Sequence, residues 1–243
     1  MSKRNRESSS KRLLEQMPQR EFSKLEPHLE FKRFSLAEYL QRGGSPINDV
    51  HFLNKGVASM IIETQDGRSA EVGITGCEDM IGLALAAGLS ELTYSVIVQA
   101  PAAGFKVRAH VMKRLLPAMP QLTRMLLRRL AIRSVEQEQN TACNRLHSLT
   151  QRLARGLLLS HHRLPSDTIQ TTHDFLSKMA GTDRATVSLA IADFERKGIL
   201  QRGRGVITIT DRRKLEAQSC ECYGMFSRFN AELGLKTNHS SVG

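Results

Sequence analysis

The sequence predicts an α+β chain: a roll of short antiparallel strands, one long helix, then two short helices followed by a two-stranded ribbon. Three observations predict it. Apolar residues alternate with a period near two between Phe31 and Val107, with Gly at the candidate turns. From Pro120 the period becomes helical and runs past Asn140 without Gly or Pro. Between Thr171 and Ile209, two short amphipathic segments flank Gly181-Thr-Asp183.

Taken in order, residues 1–12 read as a disordered basic arm and 235–243 as a disordered polar tail, both lacking apolar pattern. Residues 13–119 are assigned to the roll, which begins with a short helical stretch ending near Pro27. Val50–Leu53, Val57–Ile62 and Ser69–Ile74 are expected strands. Asn54-Lys-Gly56 and Asp66-Gly67 are the expected hairpin turns, because positive φ is cheap for Gly. Met80–Gly88 reads as a buried short helix or tight loop, and Thr93–Gln99 and Gly104–Val107 as two more strands. Residues 120–143 form a long helix whose stripe of Leu122, Met125, Leu126, Arg129 and Ile132 is expected to meet a second copy of itself. The alternative is packing along its own roll.

Residues 144–234 make the C-terminal domain. Leu146, Leu149, Leu153 and Leu157 share one face of a further helix. Thr172 is a hydroxyl cap candidate for the next helix, which ends at Ala180, and Arg184–Lys197 is the one after it. Val187, Ile191 and Phe194 on that helix are expected to face Phe175, Leu176 and Met179. Ile199-Leu200 and Val206–Ile209 flank Gln201-Arg-Gly-Arg-Gly205, giving a basic two-stranded wing. The whole is a winged helix-turn-helix.

Charge points to the partner. The 243 residues hold 35 Lys+Arg against 24 Asp+Glu, a net +11, and a surplus of that size favours a polyanion. It is unevenly placed: residues 144–243 carry 15 Lys/Arg against 9 Asp/Glu, whereas residues 44–105 carry two against seven. Double-stranded DNA is therefore the expected partner of the C-terminal domain. Arg184, Ala185, Ser188 and Leu189 are the candidates for base readout, since a guanidinium matches guanine O6/N7. Thr172, Thr182, Thr186, Arg202 and Arg204 are the candidates for phosphate. No apolar run reaches membrane-spanning length and no apolar region follows the basic N-terminus, so a cytoplasmic location without membrane contact is expected.

The order of roll, long helix and winged helix-turn-helix resembles the Crp/Fnr family of bacterial transcription regulators. Gly181-Thr-Asp-Arg-Ala-Thr-Val-Ser188 is similar to the family's G-x-S-R-x-T-V-x signature, and Phe52-Leu-Asn-Lys-Gly56 and Asp79-Met-Ile-Gly82 carry the likeness in the roll. The resemblance implies a cyclic-nucleotide-binding-like roll, a homodimer on a palindromic site, and RNA polymerase as a candidate partner. In nucleotide-binding members, a Glu after the Ile-Gly pair and an Arg before the next strand hold ribose and phosphate. Here those positions are Leu83 and Tyr94. A phosphate without its Arg loses a charge-assisted bond. The pocket at Gly82, Leu83, Tyr94 and Ser95 is thus expected to take a small molecule other than cyclic AMP, or none. Ala185 and Leu189 replace a Glu and an Arg of the family pattern, so base preference should differ.

Cys77, Cys143, Cys220 and Cys222 do not match the clustered cysteines of iron–sulfur members. Cys220-Glu-Cys222 has the look of a metal or redox pair, but no second pair completes a zinc set, so neither metal nor other cofactor is expected. A thiol or metal sensor acting through Cys220 and Cys222 is one alternative function. A ligand-binding module whose helix-turn-helix is only structural is another. No nucleophile elbow, phosphate loop or metalloprotease motif supports an enzyme.

Overall fold

The computed structural model of the chain describes residues 13–164 and 166–225. The expected basic arm 1–12 and tail 235–243 lie outside the described residues. The elements are α1 Gln19–Leu25, β1 Glu30–Phe34, β2 Tyr39–Gln41, β3 Asp49–Glu63, β4 Ser69–Thr75, β5 Met80–Ile81, β6 Ser95–Arg108, α2 Ala109–Leu115 and α3 Pro120–Leu146. They continue with α4 Leu149–Arg163, β7 Thr168–Gln170, α5 His173–Ala180, α6 Arg184–Arg196, β8 Leu200–Gly203, β9 Val206–Ile209 and α7 Arg212–Gln218. This is the α+β architecture expected: an N-terminal antiparallel sheet, a long helix and a C-terminal helix-turn-helix.

The roll is built on two strands longer than the sequence reading allowed. The expected hairpin turn at Asn54-Lys-Gly56 does not exist, because β3 runs unbroken through it. Gly56 has φ +94, and a Cβ there would lie 2.6 Å from Ala102 Cα. The glycine therefore serves a bulge rather than a reversal, and the β3–β6 register shifts between Leu53 and Ala58. The two strands expected at 93–99 and 104–107 are likewise one, β6, which passes exposed Pro101 opposite that bulge. Proline is tolerated there because the ladder is already interrupted. The turn at Asp66-Gly67 is present, with Gly67 at φ +81 joining β3 to β4. The sheet order is β1-β6-β3-β4, with β2 on β6 and β5 on β3.

The long helix is 27 residues, about 40 Å at 1.5 Å per residue. It includes Leu146, which the sequence reading had placed on the next apolar face. Leu146 is instead 75% exposed at the end of α3. The chain then breaks at His147, and Ser148 opens α4 with a capping box, its hydroxyl accepting from Gln151 N and Gln151 reaching back to Ser148 N. The wing is three-stranded, not two: β7 pairs with β9, giving the order β7-β9-β8. The β7 segment is too short to show a period.

The two halves share a core. Val57, Ile74 and Ala100 of the roll sit in one buried cluster with Leu153, Leu157, Leu176 and Phe194. Gln99 Nε2 donates to Ser160 Oγ at 3.0 Å, and Arg163 Nε donates to Glu78 Oε1 at 2.8 Å. Burial alone would raise the Glu78 carboxyl, but Arg163 and Arg129 outweigh it and hold it down at about 2.

Candidate nucleic-acid interface

The helix-turn-helix is capped at each step. Thr172 Oγ1 accepts from Phe175 N at 3.1 Å and starts α5. Gly181 ends it at φ +62, in the left-handed conformation glycine adopts without strain, and its N–H reaches the Lys178 and Ser177 carbonyls. Asp183 then accepts from Thr186 N at 2.9 Å and starts α6. Hydrogen bonds from Thr186 hydroxyl and amide hold the Asp183 carboxyl below its ordinary value. Val187, Ile191 and Phe194 are fully buried, facing Leu176 and Ala180. Phe175 and Met179, expected in the same core, are only half-buried.

Turning that apolar face inward leaves Arg184, Ala185 and Leu189 on the outside, with Leu189 74% exposed. Leu189 thus shares the outward face of α6 with Arg184 and Ala185. Ser188 is less free: its Oγ donates to Arg184 O at 2.8 Å and lies 2.8 Å from His173 Nδ1. Burial, then Arg202 and Arg184, lower the His173 pKa, so both guanidinium groups act on one side of the motif.

The five phosphate candidates fare differently. Thr172 is exposed, with its hydroxyl proton not committed by the cap. Thr186 Oγ1 donates to Asp183 Oδ2 at 2.6 Å, which occupies its only proton. Thr182 is half-buried in the turn. Arg202 is held by Glu195, its Nε 2.6 Å from Oε2. Arg204 is exposed at the wing tip between Gly203 and Gly205.

The roll positions named as a pocket are packed. Leu83 is fully buried, Gly82 sits against Val50 and Ile47, and Ser95 Oγ accepts from Gly43 N at 3.0 Å. Tyr94 Oη accepts from Arg133 at 3.4 Å. The nearby charges pair on one carboxylate: Arg133 Nη2 donates to Asp79 Oδ2 at 2.8 Å, and Arg129 Nε lies 3.4 Å from the same oxygen. Between β4, α3, α4 and α5 there is a space of only about 70 Å³, against roughly 300–1,000 Å³ for typical ligand sites.

The long helix corrects the expected stripe. Leu122 and Leu126 are fully buried in the roll's own core, and Arg129 is buried on Asp79. None is available to a second copy. Met125 and Ile132 are half-buried, Met125 against the same core. The outward stripe is instead Leu127, Ala131, Val135 and Ala142, with Leu127 44% and Val135 39% exposed.

The cysteine expectation also changes. Cys220 and Cys222 are joined by Cys143 and His147 from the end of α3, all four ligand atoms within 4.8 Å of one another. Sequence reading missed Cys143 and His147. Their i,i+4 spacing, with His147 just past the end of the helix that carries Cys143, was the available signal. Among the described residues, no helix is long and apolar enough to cross a membrane.

Residues 151–218 match the family model of the Crp-like helix-turn-helix domain. No curated protein matches the chain. Solved structures do. FixK2 from Bradyrhizobium japonicum is 17% identical, over 79% of this chain and 98% of that one, with a TM-score of 0.67. The c-di-GMP-responsive global regulator CLP from Xanthomonas campestris is 15% identical, over 79% and 99%, at 0.64. A CRP-family transcriptional regulator from Thermus thermophilus is 19% identical, over 77% and 96%, at 0.64. What is shared at these identities is the fold.

Proposed function

We propose that this chain, which has the Crp/Fnr fold and a Crp-like helix-turn-helix domain, is a sequence-specific DNA-binding transcription regulator that acts as a homodimer in the cytoplasm. The observation that carries the reading is the outer face of α6. Arg184, Ala185 and Leu189 stand clear of the protein, and the wing-tip Arg204 is exposed as well. In a helix-turn-helix, the second helix enters the major groove and presents its first turns to base edges. Arg184 reads a guanine, and Leu189 rests on a thymine methyl. Arg204 and Thr172 hold phosphates. Arg202 does so on exchanging Glu195 for the backbone.

The dimer seam is the outward stripe of α3. Leu127, Ala131, Val135 and Ala142 recur at helical spacing, and two copies would bury them. Two symmetric copies read a palindrome. Packing at Leu83, Tyr94 and the Asp79 ion pairs supports a roll that does not take cyclic AMP.

Selection of bound genomic fragments by the purified protein, wild type beside Arg184→Ala and without added ligand, tests the reading. The expected result is a two-fold-symmetric motif with half-sites about one helical turn apart, relaxed at one position in the variant. Only salt-insensitive, motif-free recovery would leave the helix-turn-helix as a structural element of a ligand-binding module.

A further inference from the structure

We propose that Cys143, His147, Cys220 and Cys222 form a zinc site that clamps the end of the long helix to the C-terminal end of the DNA-binding domain. The argument is first geometric. A tetrahedral zinc site with metal–ligand distances of ~2.1–2.3 Å has ligand–ligand edges of ~3.5–3.8 Å. Cys143 Sγ lies 3.5 Å from Cys220 Sγ, and Cys222 Sγ lies 3.7 Å from His147 Nδ1. These are two opposite edges of the tetrahedron, and no ligand atom in the set is more than 4.8 Å from another. The sulfurs are not bonded to each other: all four cysteines of the chain are free.

The second part of the argument is the ligand chemistry. Three thiols and one imidazole are a recurrent structural zinc set, and soft sulfur donors disfavour magnesium and calcium. The third is the surroundings. His147 Nε2 lies 3.2 Å from Glu221 Oε1, so the carboxylate holds the ring proton on Nε2 and leaves the Nδ1 lone pair facing the sulfurs. Gln139 Nε2 donates to Cys222 Sγ at 3.0 Å, a bond that suits a thiolate. Outer partners of this kind orient metal ligands and are not needed to pack three apolar thiols. Cys143, Cys220 and Cys222 are buried, with Leu159 against them. Four protein ligands leave no open position, so the site is structural rather than catalytic.

Uptake of the ion releases the three thiol protons to solvent and forms three Zn–S bonds and one Zn–N bond. Cys143 lies in the last turn of α3 and His147 just past its end, whereas Cys220 and Cys222 lie just beyond α7. The ion therefore ties segments 77 residues apart across the break at His147. Its binding free energy adds to the stability of that junction.

The test uses the full-length protein purified under reducing conditions without chelator, and its readout does not involve DNA. Elemental analysis should find about one zinc per chain, retained in Cys77→Ser and lost in Cys143→Ser and in Cys222→Ser. Replacing zinc with cobalt should give the visible bands of a tetrahedral, thiolate-rich site. In His147→Cys, which keeps four ligands, the thiolate-to-cobalt band should strengthen. Removing the ion by chelation should lower the melting temperature of wild type but not of Cys222→Ser. Wild-type protein that is metal-free as purified and takes up no zinc in titration would overturn the proposal. So would a Cys143–Cys220 disulfide in the native protein, or octahedral cobalt bands.

Discussion

Arg184 stands at the first turn of α6, where the helix dipole opposes a positive charge. The chain tolerates that cost beside a capping Asp183, and an external anion or guanine edge removes it. Arg184→Ala is expected to relax one base position of the operator at about 1–3 kcal/mol, leaving binding to random DNA nearly unchanged. Competition binding against single-base operator variants measures this, and equal losses on operator and random DNA would refute the readout role. A second residue-scale consequence concerns Asp79, whose side chain is fully buried between Arg129 and Arg133. Burial works to lower the Arg129 pKa, but Asp79 and Glu136 prevail and raise it. Asp79→Ala leaves two guanidinium groups without their buried counterion, so unfolding in denaturant should show a loss of about 3–5 kcal/mol.

At the scale of elements, the wing and the long helix each make a distinct prediction. On the proposed reading, the wing contributes charge without sequence information. Arg204→Ala should weaken binding to every DNA sequence alike and reduce the salt slope by about 1. Titration at several salt concentrations separates it from Arg184→Ala. The long helix offers Val135 on its exposed stripe. Val135→Glu would place like charges across the proposed two-fold seam, so sedimentation should show a shift from dimer to monomer and the melting temperature should lose its dependence on protein concentration. An unaltered dimer would move the interface elsewhere. Leu122→Glu would be uninformative here, because Leu122 belongs to the core of the roll.

At the scale of the whole molecule, the joint between roll and DNA-binding domain carries opposed titrations. Glu71, on β4 facing α4, has a carboxylate oxygen sealed from solvent without a hydrogen-bond partner. Burial raises its pKa to about 7, against the pull of Ser59, Arg155 and Arg163. Unfolded, it ionises near 4.5. Between these values the folded chain holds a proton that the unfolded chain does not, so stability falls as pH rises through this window. Glu78 acts in the opposite sense: held at about 2, its contribution is complete above 4.5 and is lost as pH falls toward 2. Burial holds His51 down at about 4, which makes stability rise with pH below 6.5 and opposes Glu71 in the absolute slope. The melting temperature of Glu71→Gln relative to wild type should therefore increase as pH rises from 5 to 8. Parallel slopes would show that Glu71 is not responsible.

The sequence alone determined the elements whose signals are local. The Gly181 turn, the Thr172 cap and the inward Val187, Ile191 and Phe194 lie close together in the chain, so one short window specifies the motif and its outer face. The tertiary structure decided whatever depended on distant chain. Gly56 looked like a turn and became a bulge because β6 runs alongside β3 through it. The α3 helix had two usable faces, and only the placement of the roll, with Asp79 beneath Arg129, showed which was consumed internally. The pair Cys220-Glu-Cys222 gained Cys143 and His147 only when α7 brought the chain back to the end of α3. Periodicity says that a helix has an apolar face, and spacing says that two ligands are near. Which surface covers the face, and which residues complete the set, is fixed by packing between segments that no local pattern connects.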